Sequence, residues 1–419
     1  MTTQPDTVLS ATTPSAGPTL PRKLGRLGPL LFLAHAGWML PFAAAGTLVQ
    51  ALMTDLDPVR KVALYATLAA AGSLTSMIAT IVFGTLSDRS RSRFGRRNPW
   101  IATGAFLLAI ASTLMSLTSS FPVLVILWMV VQIGLAVVLA PLFAVLPDRV
   151  AQHNLGKASA LIGAGQLVAQ SLGGVVAGAL VTAPREGLRW LPWLVVVVMI
   201  VFVVLSPERD NRDEPRAPLS VRALLRSFVP PRDRDFLLAL AGRFLLLLSF
   251  MMILLYQLYL LTDYIGLSVE RAGTVIATGG VIMAIASGAA TLLSGPLSDR
   301  LGRRKAIVMT ASVIFALAAL PLVMSAQVSS FYAFLAIGGF AYGIYIAVDQ
   351  ALLAEVLPSA EEHAKDLGIL NIANTLPQVL APVIAGVLVS SLGYQPVFII
   401  AIILALVSAV VLKPIQRAR

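Results

Sequence analysis

Read for hydrophobic and polar positions, the chain is a series of apolar runs of roughly 20 residues separated by short polar breaks. Twelve such runs are centred near residues 39, 73, 109, 134, 170, 198, 249, 283, 316, 343, 379 and 403. That length is what a helix needs to cross a bilayer. The pattern predicts an all-α integral membrane protein with twelve transmembrane helices. One long polar stretch, SPERDNRDEPRAPLSVRALLRSFVPPRDRD (206–235), divides the runs six and six. The expected organisation is a disordered tail over 1–26, a six-helix bundle over 27–206, a linker over 207–234 and a second six-helix bundle over 235–414. The linker is rich in Pro and charge and has room for a short surface helix near Val221–Phe228.

Composition agrees. The 419 residues are 58% hydrophobic and only 12% charged, with a mean hydropathy of +0.86, against about 25% charged in soluble domains. The net charge of +11 is spread in a telling way. With the N-terminus in the cytoplasm, 25 Lys and Arg fall in the tail, the cytoplasmic loops and the C-terminus. Only Arg60, Lys61, Arg185, Arg189 and Arg271 fall outside, and Arg243 lies within a helix. This is the positive-inside bias, so both termini are expected in the cytoplasm of a multi-pass protein of the cell membrane. Nucleic-acid binding is not expected, because the charges sit on separate short loops. There is no cysteine, which excludes disulfides and thiolate sites. The first twenty residues lack the apolar region of a cleaved signal. Three histidines without ligand spacing and no Walker A sequence argue against a metal site, a cofactor or an enzyme.

The two halves are copies of one another. Gly84-Thr-Leu-Ser-Asp88-Arg89 returns 211 positions on as Gly295-Pro-Leu-Ser-Asp299-Arg300, and Leu146-Pro147 returns at the same offset as Leu357-Pro358. Ala177-Gly178 and Thr54-Asp55 return at 208, as Ala385-Gly386 and Thr262-Asp263. G-x-L-S-D-R followed by G-R-R, present in both halves, resembles the cytoplasmic signature of the major facilitator superfamily. The resemblance covers the chain from about residue 25. It implies a parallel six-plus-six transporter with a substrate site near the midplane, between the halves. The first copy carries four extra residues, SDRSRSRFGRRNPW against SDRLGRRKAI. That longer form is similar to the sucrose-type and glycoside–pentoside–hexuronide branch.

Ionisable and amide side chains inside apolar spans are costly, so each needs a reason. Asp349 lies nine residues before Pro358, about 13 Å along a helix, and forms a stripe with Tyr342 and Tyr345. Its counterpart in the first half is Val138, so no rule common to both halves demands a carboxylate there. Asp349 is expected to line the cavity and to bind and release a proton; a structural ion pair to another helix is the other reading. Arg243 and its counterpart His35 stand at equivalent depths. Either can neutralise Asp349 or hold substrate, with His35 a second proton-coupling candidate. Arg243 can instead snorkel to phosphates, and His35 can be a hydrogen-bonded structural group. Trp38, one turn from His35, can stack on a sugar ring or simply pack. Gln166 and Gln170 are mirrored 208 positions on by Asn374 and Gln378, with Asn371 a turn earlier. Amides both donate and accept, which suits a hydroxyl-rich ligand; interhelical bonding is the plainer use. Tyr256, Gln257, Tyr259 and Gln132 are further lining candidates.

The resemblance also bears on coupling and gating. The second span has no acid before Asp88 and the fourth has none, unlike sodium–melibiose-type and sucrose-type relatives. Sodium coupling is therefore not expected, and proton coupling must use Asp349 or His35; facilitated diffusion stays open. The signature loops are expected to gate the cytoplasmic side through Gly84, Asp88, Arg89, Arg96 and Arg97 in the first copy. Gly295, Asp299, Arg300, Arg303 and Arg304 do so in the second. Their arginines would pair with Asp148 in the first half and with Glu355, Glu361 or Glu362 in the second; a purely topological role for them is the alternative. Together these features read as a monomeric, proton-linked secondary transporter of a small polar solute, sugars or glycosides preferred. A proton-antiporting exporter of amphipathic or drug-like compounds is the runner-up. A sensor or scaffold lacks an appended soluble domain to support it.

Overall fold

The computed structural model describes residues 24–213, 233–356 and 363–416; the helix expected at 221–228 lies outside them. Within them the regular secondary structure is helical. In the first half the helices are α1 (Leu27–Leu56), α2 (Lys61–Arg89), α3 (Asn98–Leu117), α4 (Phe121–Arg149), α5 (Leu155–Leu180) and α6 (Pro184–Leu205). The second half holds α7 (Arg234–Leu254), α8 (Val269–Leu301), α9 (Arg304–Met324), α10 (Val328–Val356), α11 (His363–Leu392) and α12 (Gln395–Leu412). Among the described residues these twelve are the helices long and apolar enough to span a membrane.

Local chemistry sets the boundaries. Helices α3, α4, α6 and α12 each begin with Pro in their first two positions, where its missing N–H costs nothing. The Asp233 carboxylate caps α7 by accepting from the Phe236 N–H at 3.0 Å. Before α2, the half-buried Asp57 carboxylate accepts from the Arg60 and Val59 N–H groups and pairs with the Arg60 side chain. Those bonds, the Arg60 N–H first, hold Asp57 below the usual carboxylate range. At the other end of α8, Gly302 takes up the left-handed conformation (φ 59°) that ends the helix.

Packing obeys the repeat. In the first half α1 packs on α5 and α6, α3 on α4 and α6, and α2 on α4. Adding six to each number gives the main pairs of the second half: α7 on α11 and α12, α9 on α10 and α12, α8 on α10. The halves meet along α5–α8 and α2–α11, which exchange under the same operation. The result is two pseudo-symmetric six-helix bundles. Side chains such as Ile78, Ile126, Ile285, Leu292 and Val410 point outward and are exposed, which is the surface a bilayer covers.

One element breaks the symmetry. α1 runs unbroken through Thr54 and Asp55, whereas α7 stops at Leu254. The chain continues as a single turn, Gln257–Tyr259, and a π-helical turn, Leu260–Tyr264. Hydropathy reads this stretch as the end of one run because Leu258, Tyr259, Leu260 and Leu261 continue it up to the Thr262-Asp263 step.

Candidate functional site

In the second half, Arg243 of α7 and Asp349 of α10 form an ion pair between Nη1 and Oδ2, with each side chain 6% exposed. Arg243 therefore does not snorkel. It closes α7 onto α10 at a depth where an unpaired charge would be prohibitive. Tyr345, one turn before Asp349, is buried, and Tyr342, two turns before, lies half-buried with its ring stacked 4.6 Å from Phe250.

The first half holds a different chemistry at the matching place. His35 of α1 is fully buried. Its Nδ1 faces the Trp38 indole N–H at 3.4 Å and the Gln166 amide nitrogen of α5 at 3.3 Å. An indole nitrogen only donates, so Nδ1 is the acceptor and the ring proton sits on Nε2. Three predicted site residues thus form one cluster. Gln170 lies half-buried a turn further along α5. On α11, Gln378 is exposed and its carbonyl accepts from Ser73 of α2 at 3.1 Å; the side chains of Asn371 and Asn374 lie outside the described residues. Tyr256 is buried in packing: its hydroxyl donates to the Pro382 carbonyl at 2.6 Å, and its ring meets Tyr65 edge-on.

The face that carries the α1–α2 loop is sealed by bonds between the halves. Gln50 accepts the Leu258 N–H at 3.1 Å through Oε1, and its carbonyl accepts the Tyr259 hydroxyl at 2.8 Å. Gln257 donates to Thr47 at 3.1 Å. Lys61 pairs with Asp263 at 2.6 Å, and the same carboxylate accepts from Tyr394. The broken end of α7 is what turns these groups toward α1. Gln50 and Thr47 escaped sequence reasoning; their signal is a polar pair on one face of an apolar span, close to the repeated Thr-Asp step.

At the opposite face the first signature loop is an ionic knot. Arg97, 6% exposed, pairs with Asp88 at 2.5 Å and Asp148 at 2.9 Å, and donates to Ser87. Arg96 also reaches Asp148, at 2.8 Å, while Arg89 is half-buried and Gly84 lies against Ala140 of α4. The knot therefore ties α2, α3 and α4 of one half together. Sequence reasoning also missed two residues that follow α6. Glu208 accepts from the N–H groups of Arg97 and Asn98, filling the N-terminus of α3, and Asn211 bonds both Ser90 and Ser92. Ser90 and Ser92 fall where the first copy carries its four extra residues, so the insertion receives Asn211, while Glu208 binds just beyond it. In the second copy Arg300 and Arg303 are exposed, Arg304 and Gly295 are half-buried, and the side chains of Asp299 and Glu355 lie outside the described residues.

A duplicated six-helix architecture with polar groups held at mid-depth defines a membrane transporter for small molecules. The chain belongs to the Major Facilitator Superfamily, whose model matches residues 27–289 and 239–419. Its fold is similar to that of the nucleoside transporter NupG in a mutant form, at 13% identity and TM-score 0.75, over 93% of this chain and 99% of that one. A bacterial homologue of the human lysosomal transporter Spinster, inward-facing and occupied, matches at 14% identity and TM-score 0.73, over 95% and 98%. A D-xylose–proton symporter matches at 17% identity and TM-score 0.67, over 93% and 97%. The protein is a multi-pass membrane transporter and not an enzyme.

Proposed function

We propose that this chain is a monomeric, proton-linked secondary transporter of the cell membrane that moves a small polar solute, sugars or glycosides preferred, by alternating access. The observation that carries this reading is the buried Arg243–Asp349 pair, which has no ionic counterpart at Val138 and His35 in the first half. A carboxylate that can trade its arginine for a proton has two states of nearly equal burial and different charge, which is what coupling requires. The half-buried amides Gln166 and Gln170 supply donors and acceptors for hydroxyls. Two of the similar folds are named for hydroxyl-bearing solutes, a nucleoside and D-xylose. With the Lys- and Arg-rich loops in the cytoplasm, the sealed face is the outer one, and the signature loops gate the inner one. The stacked Phe250–Tyr342 pair favours the second reading, export of amphipathic compounds. Uptake into proteoliposomes under an imposed pH gradient, run on a sugar panel and a cationic-dye panel, separates the two. Asp349→Asn is expected to abolish gradient-driven uptake while leaving solute exchange; full gradient-driven uptake in this variant would refute the coupling role.

A further inference from the structure

Helix α11 carries Pro377 and Pro382 in its interior. A proline has no N–H to give the carbonyl four residues earlier, and within a membrane that carbonyl needs another donor. For Pro382 the carbonyl is that of Gln378. Its donor comes from the other half of the molecule: the Ser73 hydroxyl of α2, at 3.1 Å.

Ser73 departs from its neighbours along the same helix. Thr67, Thr75, Thr80 and Thr85 donate to the carbonyls of Ala63, Ala71, Ser76 and Ile81, each four residues back on α2 itself. That is the usual outlet for a hydroxyl within a helix. Ser73 instead reaches across the seam between the halves. It lies about 10 Å along α2 from Ala66, which meets Gly386 of α11 in the same seam. Beyond the break, the Pro382 carbonyl accepts from Tyr256 of α7 at 2.6 Å, a bond that stays within the second half.

The equivalent seam, α5 on α8, has neither part of this arrangement. At the 208 offset Gln378 and Pro382 correspond to Gln170 and Gly174, and at 211 Ser73 corresponds to Ala284. There Gly174 simply lies on Gly280 of α8. The proline and the hydroxyl that answers it thus occur together in one seam and are both absent from its copy.

We propose that Ser73 is a positioning residue of the transport cycle, which supplies the donor α11 lacks while the sealed face is closed and withdraws it when the halves part there. Opening that face then takes a hydrogen bond from the backbone of α11 at Gln378, while Tyr256 keeps its hold on Pro382. In the open form the Gln378 carbonyl turns to water of the cavity, so the Ser73 bond biases the equilibrium without locking it. This role is independent of which solute is carried and of what couples its movement.

The chain has no native cysteine, so spin labels placed through Val59→Cys and Leu392→Cys report the sealed face. These positions are 92% and 67% exposed, in the α1–α2 loop and at the last residue of α11. Double electron–electron resonance on the full chain in lipid nanodiscs reads a short distance for the closed form and a longer one for the open form. Ser73→Ala is expected to raise the open-to-closed ratio about fivefold, the worth of one hydrogen bond. Ser73→Thr keeps the donor and is expected to stay near wild type. Pro382→Ala returns an N–H to α11, and in that background Ser73→Ala should change the ratio by less than about twofold. An unchanged ratio in Ser73→Ala would overturn the proposal, and so would an equal shift with and without Pro382. Because no solute or proton gradient enters the measurement, a failure of proton-linked uptake leaves its result standing.

Discussion

Arg243 and Asp349 stand 106 residues apart and meet only because α7 packs against α10. Each was visible in the sequence as an ionisable group in an apolar run, with Arg243 and His35 both named as groups able to neutralise Asp349; the choice of Arg243 was not legible, since neither spacing nor repeat offset selects it. His35 shows the same division. Its i+3 contact with Trp38 follows from helical spacing, whereas Gln166 arrives from another helix. Pairing has an energetic signature. Arg243→Leu leaves a buried carboxylate alone, and breaking a buried pair in this way costs roughly 3–5 kcal/mol. The double variant Arg243→Met with Asp349→Leu removes both charges together. We expect the single variant to melt well below wild type, and the double to recover most of the loss without recovering transport. Thermal unfolding in detergent, read beside uptake, checks this; a double variant as unstable as the single one would show that shape rather than charge is at issue.

Among elements, the α5–α8 contact is the tightest crossing between the halves. A Cβ at Gly178 would lie 2.2 Å from the Gly273 carbonyl, and one at Gly273 would lie 2.6 Å from the Gly178 carbonyl. Small residues of this kind let helix backbones touch. Gly178→Val is therefore expected to hold the α1–α2 face apart and shift the population toward its open form. A single cysteine at Ala66, which packs on Gly386 of α11, reports the change in a chain without native cysteine. Labelling from the outer side should rise severalfold, and unchanged labelling would contradict the packing role. Span number, order and duplication were legible because hydropathy and repeat offset act over whole helices. The break in α7 was not, because Leu258, Tyr259, Leu260 and Leu261 carry the apolar run across it as far as the Thr262-Asp263 step.

For the whole molecule, the linker does more than join two bundles. Its first residues are bonded into the first signature loop, and Gly95 (φ 89°) makes room for Glu208, whose Cβ would lie 2.0 Å from a Cβ at that position. Glu208→Ala removes the carboxylate that fills the N-terminus of α3, a capping loss of about 0.5–2 kcal/mol. Trypsin cleavage at the exposed Arg93 should then speed up severalfold in inside-out vesicles. An unchanged rate would mean that the ionic knot of Arg97, Asp88 and Asp148 holds the loop without help from the linker.

The ion pair of the second half also decides how the carrier feels membrane voltage. Arg243 and Asp349 cancel, so the unloaded form presents no net charge at that depth. On the proposed coupling, a proton on Asp349 uncovers the guanidinium, and the loaded form carries one positive charge through the field. Each such charge is worth about 2.3 kcal/mol per 100 mV across the full membrane. Reorientation of the loaded carrier should therefore generate current and follow voltage, while the return of the empty carrier should be electrically silent.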